Sequence, residues 1–172
     1  MESWQILLCI AASLGLDAQQ IDVKTAFLYG LLLDDEVQYM QQPASFEEPG
    51  REDWAWQLQC GLYSMKQSGC IWNQTLNMQI ITWGFTCLSC ESCIYYCKTD
   101  SGIIIAAIHV NDYLSIADSK EENEQFKDQM RKVWTIPKLG TACFIVRIAI
   151  TRNRATHYEV SMVGKLFHIS YL

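Results

Sequence analysis

Apolar residues recur at helical spacing from Ser3 to Leu14, with Trp4, Leu7, Leu8, Ala11 and Leu14 on one stripe and Gly15 as the stop. Gln20 to Leu28 reads as a strand running into a turn at Tyr29-Gly30. Val37 to Met40 and Trp54 to Leu58 read as short strands around a loop from Gln42-Pro43 to Pro49-Gly50. A second helix is expected over Gln67 to Trp83, closed by Gly84, with Ile71, Trp72, Leu76 and Ile80 buried. Cys93 to Lys98 reads as a strand that Asp100-Ser101-Gly102 turns back. Ile103 to Val110 is almost wholly apolar, as a central strand is, and Tyr113 to Ala117 runs back from it. Asn111-Asp112 between these two strands reads as a hairpin tip. Ser119-Lys120-Glu121-Glu122 is a capping box, opening a helix that turns Phe126, Met130, Val133 and Trp134 inward. A last strand is expected from Cys143 to Ile150.

Setting aside the first helix and the small hairpin, the order is strand, helix, strand, strand, helix, strand, the split β-α-β order of ferredoxin-like folds. The expected class is α+β: an antiparallel sheet with two helices on one face. No repeat, linker or domain boundary is visible, so one domain of 172 residues is expected. A net charge of -6 and a pI near 5.0 argue against a generally basic nucleic-acid-binding surface. No apolar run is long enough to span a bilayer, and Met1-Glu2-Ser3-Trp4 lacks the positive start of a signal peptide. The eight cysteines are therefore expected as reduced thiols inside a cell.

The candidate chemistry lies at two strand ends. In the expected topology the first strand lies beside the hairpin, so Asp22 and Asp112 meet above the sheet. Paired carboxylates suit Mg²⁺, a hard cation with few protein ligands. Two such ions about 3.5–4 Å apart clamp both sides of a phosphoryl transfer. The bland alternative is a solvated strand aspartate and an ordinary Asn-Asp turn.

Gln20-Ile21-Asp22-Val23-Lys24-Thr25-Ala26-Phe27-Leu28-Tyr29-Gly30 resembles the first catalytic motif of copia-type retrotransposon reverse transcriptases. Val37 to Pro43 resembles the hairpin that follows it, and Gly61 to Trp72 resembles the next motif. His109-Val110-Asn111-Asp112 sits where the family's aromatic-x-Asp-Asp box belongs, and Lys138-Leu139-Gly140 with Ile145 to Ile150 resembles the approach to the primer grip. The motifs follow in order, clear to about residue 155, as in a partial fingers-and-palm domain spanning 1–172. The resemblance implies an RNA-directed DNA polymerase working with Mg²⁺ on an RNA or DNA template-primer and deoxynucleotides. It implies a cytoplasmic particle or the nucleus as the location, and no membrane. Asp22 and Asp112 would be metal ligands, Asn111 would stand at the second essential ligand, Phe27 would exclude a ribose 2′-hydroxyl, and Gln67 would contact the incoming nucleotide.

Several positions depart from that pattern. Asn111 replaces an aspartate, which removes a negative charge from a two-cation site; loss of nearly all polymerisation is expected. His109 replaces the aromatic of the box, Cys70 stands where an arginine is usual, and Arg147 replaces a turn glycine. Most of the fingers, the thumb and an RNase H region are expected to be missing, and little nucleic-acid affinity is expected of so acidic a fragment. Aspartate to asparagine at Asn111, glycine to arginine at Arg147 and arginine to cysteine at Cys70 and Cys143, with Cys97 as a further instance, are each reachable by one transition in the coding DNA, so neutral decay is expected to have damaged the core as readily as the site. Two other readings stand beside this one. The run Cys87-x2-Cys90-x2-Cys93-x3-Cys97 has iron–sulfur spacing, with zinc as the other metal. It lacks the following proline and falls partly on a strand, which sends alternate side chains to opposite faces. The last reading is a non-catalytic, domesticated interaction domain.

Overall fold

A computed structural model of the chain describes residues 2–33, 35–100, 102–137, 139–145, 148–153, 157–162 and 165–168. It divides into two compact units, residues 1–24 with 80–172, and residues 25–79, although the sequence marks no boundary between them.

In the first unit, helix α1 (Glu2–Ser13) leads into strand β1 (Asp17–Asp22). Gly15, at φ +68°, makes the turn; Gly15 N–H donates to the Ala12 carbonyl and Leu16 N–H to that of Ala11. This left-handed cap satisfies carbonyls the helix end leaves open. After α2 (Ser68–Thr82), which spans the boundary between the units, come β4 (Thr86–Leu88), β5 (Glu91–Lys98), β6 (Ile103–His109), β7 (Asp112–Ala117) and α3 (Lys120–Arg131). The five strands form one antiparallel sheet in the order β1-β7-β6-β5-β4. β1 thus lies directly beside the second strand of the hairpin, as expected.

Pleating gives this sheet two faces. One carries Ala18, Ala107, Leu114 and Ile116, which form one core with Trp4, Leu7, Leu8 and Ala11 of α1 and with Ile145, Ile148 and Ile150. The other face meets α3, where the Asn123 amide joins the buried hydroxyl of Ser115 on β7 to the Asp17 carboxylate on β1. Phe126 of α3 also receives Trp83 and Phe85, the residues that follow α2. Ser119 caps α3 by accepting from Glu122 N–H at 3.2 Å.

The second unit holds a short 3₁₀ turn (Ala26–Tyr29), the ribbon of β2 (Gln38–Gln41) and β3 (Ala55–Leu58), and α2 through Gln79. Ile71, Trp72, Leu76 and Ile80 are buried, as their spacing predicts.

The α+β class and the antiparallel sheet are as expected, and four details of the order differ. The strand expected over Gln20–Leu28 stops at Asp22, because its partner β7 begins at Asp112; with no ladder left, the following segment coils into the 3₁₀ turn. The expected closing strand does not complete this sheet. Only Gly140–Ala142 reach β1, through Gln20 N–H to the Gly140 carbonyl, Ala142 N–H to that of Ala18, and a bridge between Gln19 and Thr141. The chain then enters a separate sheet of β8 (Phe144–Ile145), β9 (Ile148–Asn153), β10 (His157–Met162) and β11 (Lys165–His168). Between α2 and α3 stand the three strands read from the sequence, here β5, β6 and β7, and the short β4, whereas the split β-α-β order has room for only two strands there. Leu14 and Val133, read as part of the inward stripes, are exposed, whereas Trp134 of the same stripe is buried beyond the end of α3. Lys138 and Arg147 lie outside the described residues.

Candidate active site

The last residue of β1 faces the first of β7: Asp22 is the cross-strand partner of Asp112, and Asp112 in turn is the partner of His109. Directly opposed residues on antiparallel strands share a face, with Cβ atoms about 4.5–5.5 Å apart. All three side chains therefore project together from one end of the sheet. Asp22 and Asp112 are half-buried and His109 is exposed.

The turn joining β6 to β7 is Val110-Asn111, so Asp112 opens the strand rather than forming the tip. Val110 has φ +58°. A β-branched residue rarely takes that conformation, because Cβ crowds the carbonyl that follows. The turn is held from β1, where Val23 N–H donates to the Asn111 carbonyl at 3.0 Å.

Within this frame the Asn111 side chain points back to β1: its Nδ2 donates to Asp22 Oδ1 at 2.7 Å. The amide orientation follows from chemistry, since its oxygen would be repelled by the carboxylate and only its NH₂ can bond there. Burial raises the Asp112 carboxyl above the ordinary aspartate value, the nearby Asp22 raises it further, and His109 opposes both. The neighbouring Asp22 charge opposes ionisation of Asp112, as charge repulsion requires. On the opposite face, Tyr113 is fully buried, and its hydroxyl has no hydrogen-bond partner among the described residues. Burial, then Tyr95 and Asp22, hold that phenol well above the ordinary tyrosine value.

Phe27 and Gln67 both belong to the second unit. Phe27 is half-buried in the 3₁₀ turn, its ring 4.9 Å from that of Tyr63. Gln67 precedes α2, where its carbonyl accepts from Ile71 N–H. Two glycines let these motif segments meet. A Cβ on Gly30 would lie 2.9 Å from Ile71 Cγ2 and 3.2 Å from Trp72 N, and one on Gly61 would lie 3.1 Å from the Phe27 carbonyl. Tyr63 was not singled out from sequence, although its place in the Gly61-Leu62-Tyr63 segment carried the signal.

The sequence reading also missed the support beneath the carboxylates. Lys127 on α3 is almost fully buried, and its Nζ donates to Gln19 Oε1 on β1, to Glu124 Oε1 at 3.3 Å and to the Leu139 carbonyl at 3.1 Å. It thus joins three chain segments around the strand that ends in Asp22. Asn123, Phe126, Lys127 and Met130 follow helical spacing, so the signal was a polar residue within an inward stripe.

Cys70 is exposed in the first turn of α2. The four cysteines with cluster spacing divide between β4 (Cys87), the following turn (Cys90) and β5 (Cys93 and Cys97). Among the described residues no group of three or more His, Cys, Asp or Glu side chains is arranged to hold a metal ion. No helix among the described residues is long and apolar enough to cross a membrane.

Residues 1–167 match the family model described as reverse transcriptase (RNA-dependent DNA polymerase). The chain is 31% identical over 157 residues to the retrovirus-related Pol polyprotein from transposon TNT 1-94 of Nicotiana tabacum, covering 91% of this chain and 12% of that protein. It is 32% identical over 120 residues to a transposon Ty5-1 protein of Saccharomyces cerevisiae, covering 70% of this chain and 38% of the relative. Over 112 residues it is 30% identical to the Pol polyprotein from transposon RE2 of Arabidopsis thaliana, covering 65% of this chain and 8% of that one. The chain therefore spans well under half the length of each of these relatives, and it belongs to the reverse transcriptase (RNA-dependent DNA polymerase) family found in retrotransposon Pol polyproteins.

Proposed function

We propose that this chain is the palm-bearing part of a copia-type reverse transcriptase whose polymerase centre is disabled. In this reading the β1-β7-β6 end is the palm platform, Asp22 and Asp112 are the remaining carboxylates of the two-metal centre, and Phe27 and Gln67 belong to the nucleotide-binding surface. The family's substrates would be an RNA or DNA template-primer and deoxynucleotides, handled inside the cell.

One observation carries the reading: the Asn111 amide donates into Asp22 Oδ1 at 2.7 Å. A divalent cation needs that oxygen as a ligand, and a cation and an amide hydrogen compete for the same lone pairs. The donor set does not fit two Mg²⁺ ions. Two carboxylates face four positive charges, and the third position presents hydrogens where an anionic oxygen is needed. Metal binding is accordingly weak or absent. Asn111 both removes a charge and ties up the neighbouring ligand. Template-primer affinity is also low, because a net charge of -6 repels phosphates.

The test is a graft of residues 18–150 into an intact relative, read by Mg²⁺-dependent primer extension. The unrepaired chimera should be inactive. The chimera with Asn111→Asp, Cys70→Arg and Arg147→Gly should regain extension, with Asn111→Asp supplying about a thousandfold, the scale of several kcal/mol of charge stabilisation. Robust extension by the unrepaired chimera would overturn the reading.

A further inference from the structure

We propose that the β2–β3 ribbon is a docking site for an extended, basic polypeptide segment. Three features of the second unit point there. First, it carries large apolar side chains at its surface: Leu31, Tyr39, Phe46 and Trp54 are each 60% exposed or more, and Trp56 is 40% exposed. Tyr39 stands opposite Gln57 and Trp56 opposite Met40, so the two rings project from opposite faces of the ribbon and each face offers an apolar contact. At the foot of the ribbon a cleft of about 330 Å³ is lined by Leu31, Leu33, Val37 and Leu58, with Glu36 and Gln57.

Second, the ribbon has unpaired edges. Among the described residues, β2 and β3 pair only with each other within their sheet. A two-stranded ribbon leaves backbone donors and acceptors along its edges, which an incoming extended chain can use.

Third, the charge is one-sided. Residues 25–79 hold seven acidic side chains (Asp34, Asp35, Glu36, Glu47, Glu48, Glu52, Asp53) against Arg51 and Lys66, a balance of 2 − 7 = −5. The rest of the chain holds twelve acidic and eleven basic residues, so nearly the whole net charge of −6 belongs to this unit. Such a balance attracts lysine and arginine. The unit already binds one arginine in this way: Arg51 lies 4.5 Å over the Trp54 ring and meets Glu48 at 3.2 Å. Carboxylate plus indole is the pairing that holds a guanidinium. A partner with alternating basic and aliphatic residues would put its apolar side chains in the cleft and its cations against Glu36 and Glu47.

The full chain is titrated against a fluorescein-labelled peptide of alternating arginine and valine, with fluorescence anisotropy as the readout. A glutamate-valine peptide of equal length and an oligo-dT strand are the comparisons. The arginine-valine peptide should bind, weaken with added salt, and lose at least about fivefold in affinity with Glu36→Gln, Glu47→Gln. Those side chains are at the surface, so the variant tests charge without risk to the fold; Trp54→Leu should weaken binding comparably. No binding, equal binding of the glutamate-valine peptide, or tighter binding of oligo-dT would each overturn the proposal. So would sedimentation showing a dimer that Trp54→Leu dissociates, because a second copy would then be the occupant.

Discussion

A single amide decides the chemistry of the carboxylate pair. In Asn111→Asp, repulsion from Asp22 and Asp112 replaces the Asn111–Asp22 hydrogen bond, so the variant should lose about 1–2 kcal/mol at neutral pH without metal. Mg²⁺ should then stabilise the variant by mass action and leave the parent unchanged. Equal Mg²⁺-induced shifts of the melting temperature in both would refute this. Asp112 has its own pH signature. Its folded carboxyl lies above the ordinary value of 3.8, so the folded state holds the proton more tightly. Its stabilising contribution is complete below that value and is lost as pH rises through the folded one. Asp112→Asn should therefore stabilise the chain relative to the parent above that window and have no such effect below it, as urea titrations across acidic to neutral pH would show. Val110 is a smaller, independent case. Relief of its positive φ should make Val110→Gly more stable by about 1 kcal/mol, since the left-handed region costs an ordinary residue about that much.

At the level of elements, the site depends on β1 being held from both sides. Lys127 is its buried anchor. Burial lowers the ammonium below the ordinary lysine value, against the favourable Glu124 and Asp17 and with a further lowering from Arg131. The unfolded chain thus holds a proton that the folded chain releases earlier, so this group's contribution to stability rises with pH between the folded and the ordinary value. Lys127→Met should remove that rise and cost about 1–3 kcal/mol near neutrality, because the Gln19 and Leu139 oxygens lose a buried donor. Paired pH–stability curves of parent and variant would show a constant offset if the lysine only fills space. In the second unit, Gly30→Ala should cost about 1–3 kcal/mol, because the new methyl meets Ile71 and the α2 backbone.

Across the whole chain, the expectation of decay meets an apolar core. Core damage equal to the site's is not seen among the described residues: the first unit's core is continuous from α1 through the sheet to Ile150, and Gln19, Ser115, Asn123 and Lys127 are buried with partners. Cys70 and Cys143, where the resemblance implies arginines, are both exposed, so these exchanges leave the core untouched. Leu8→Ala should cost about 2–5 kcal/mol, a large share of the total of about 5–15 kcal/mol typical of a domain. The coding DNA separates the two histories. Decay requires transitions in excess at codons 70, 111, 143 and 147 and replacements in core codons at the neutral rate. Suppressed replacement in the core codons alone would show that the fold was selected after the site was lost.

The sequence alone determined the elements and the family. Helical periods placed α1, α2 and α3, and apolar or aromatic runs between turn residues placed β5 to β7, within one or two residues at most ends, because burial of one helix face imposes a period and burial of both strand faces imposes an apolar run. The motifs Gln20–Gly30, Gly61–Trp72 and His109–Asp112 carried the family, because a site built from the backbone of three segments constrains residue type at fixed places. What the sequence left open was pairing. A local period does not say where a partner strand ends, so β1 was read past Asp22 and the last strand was placed in the wrong sheet. Nor does it show side-chain direction: that Asn111 turns its hydrogens onto Asp22 follows from β1 meeting the β6–β7 turn, and that Lys127 lies buried against Gln19 follows from β1 meeting α3, each across more than eighty residues of chain. Those contacts, set by tertiary packing rather than by neighbours in sequence, give the carboxylate pair its geometry.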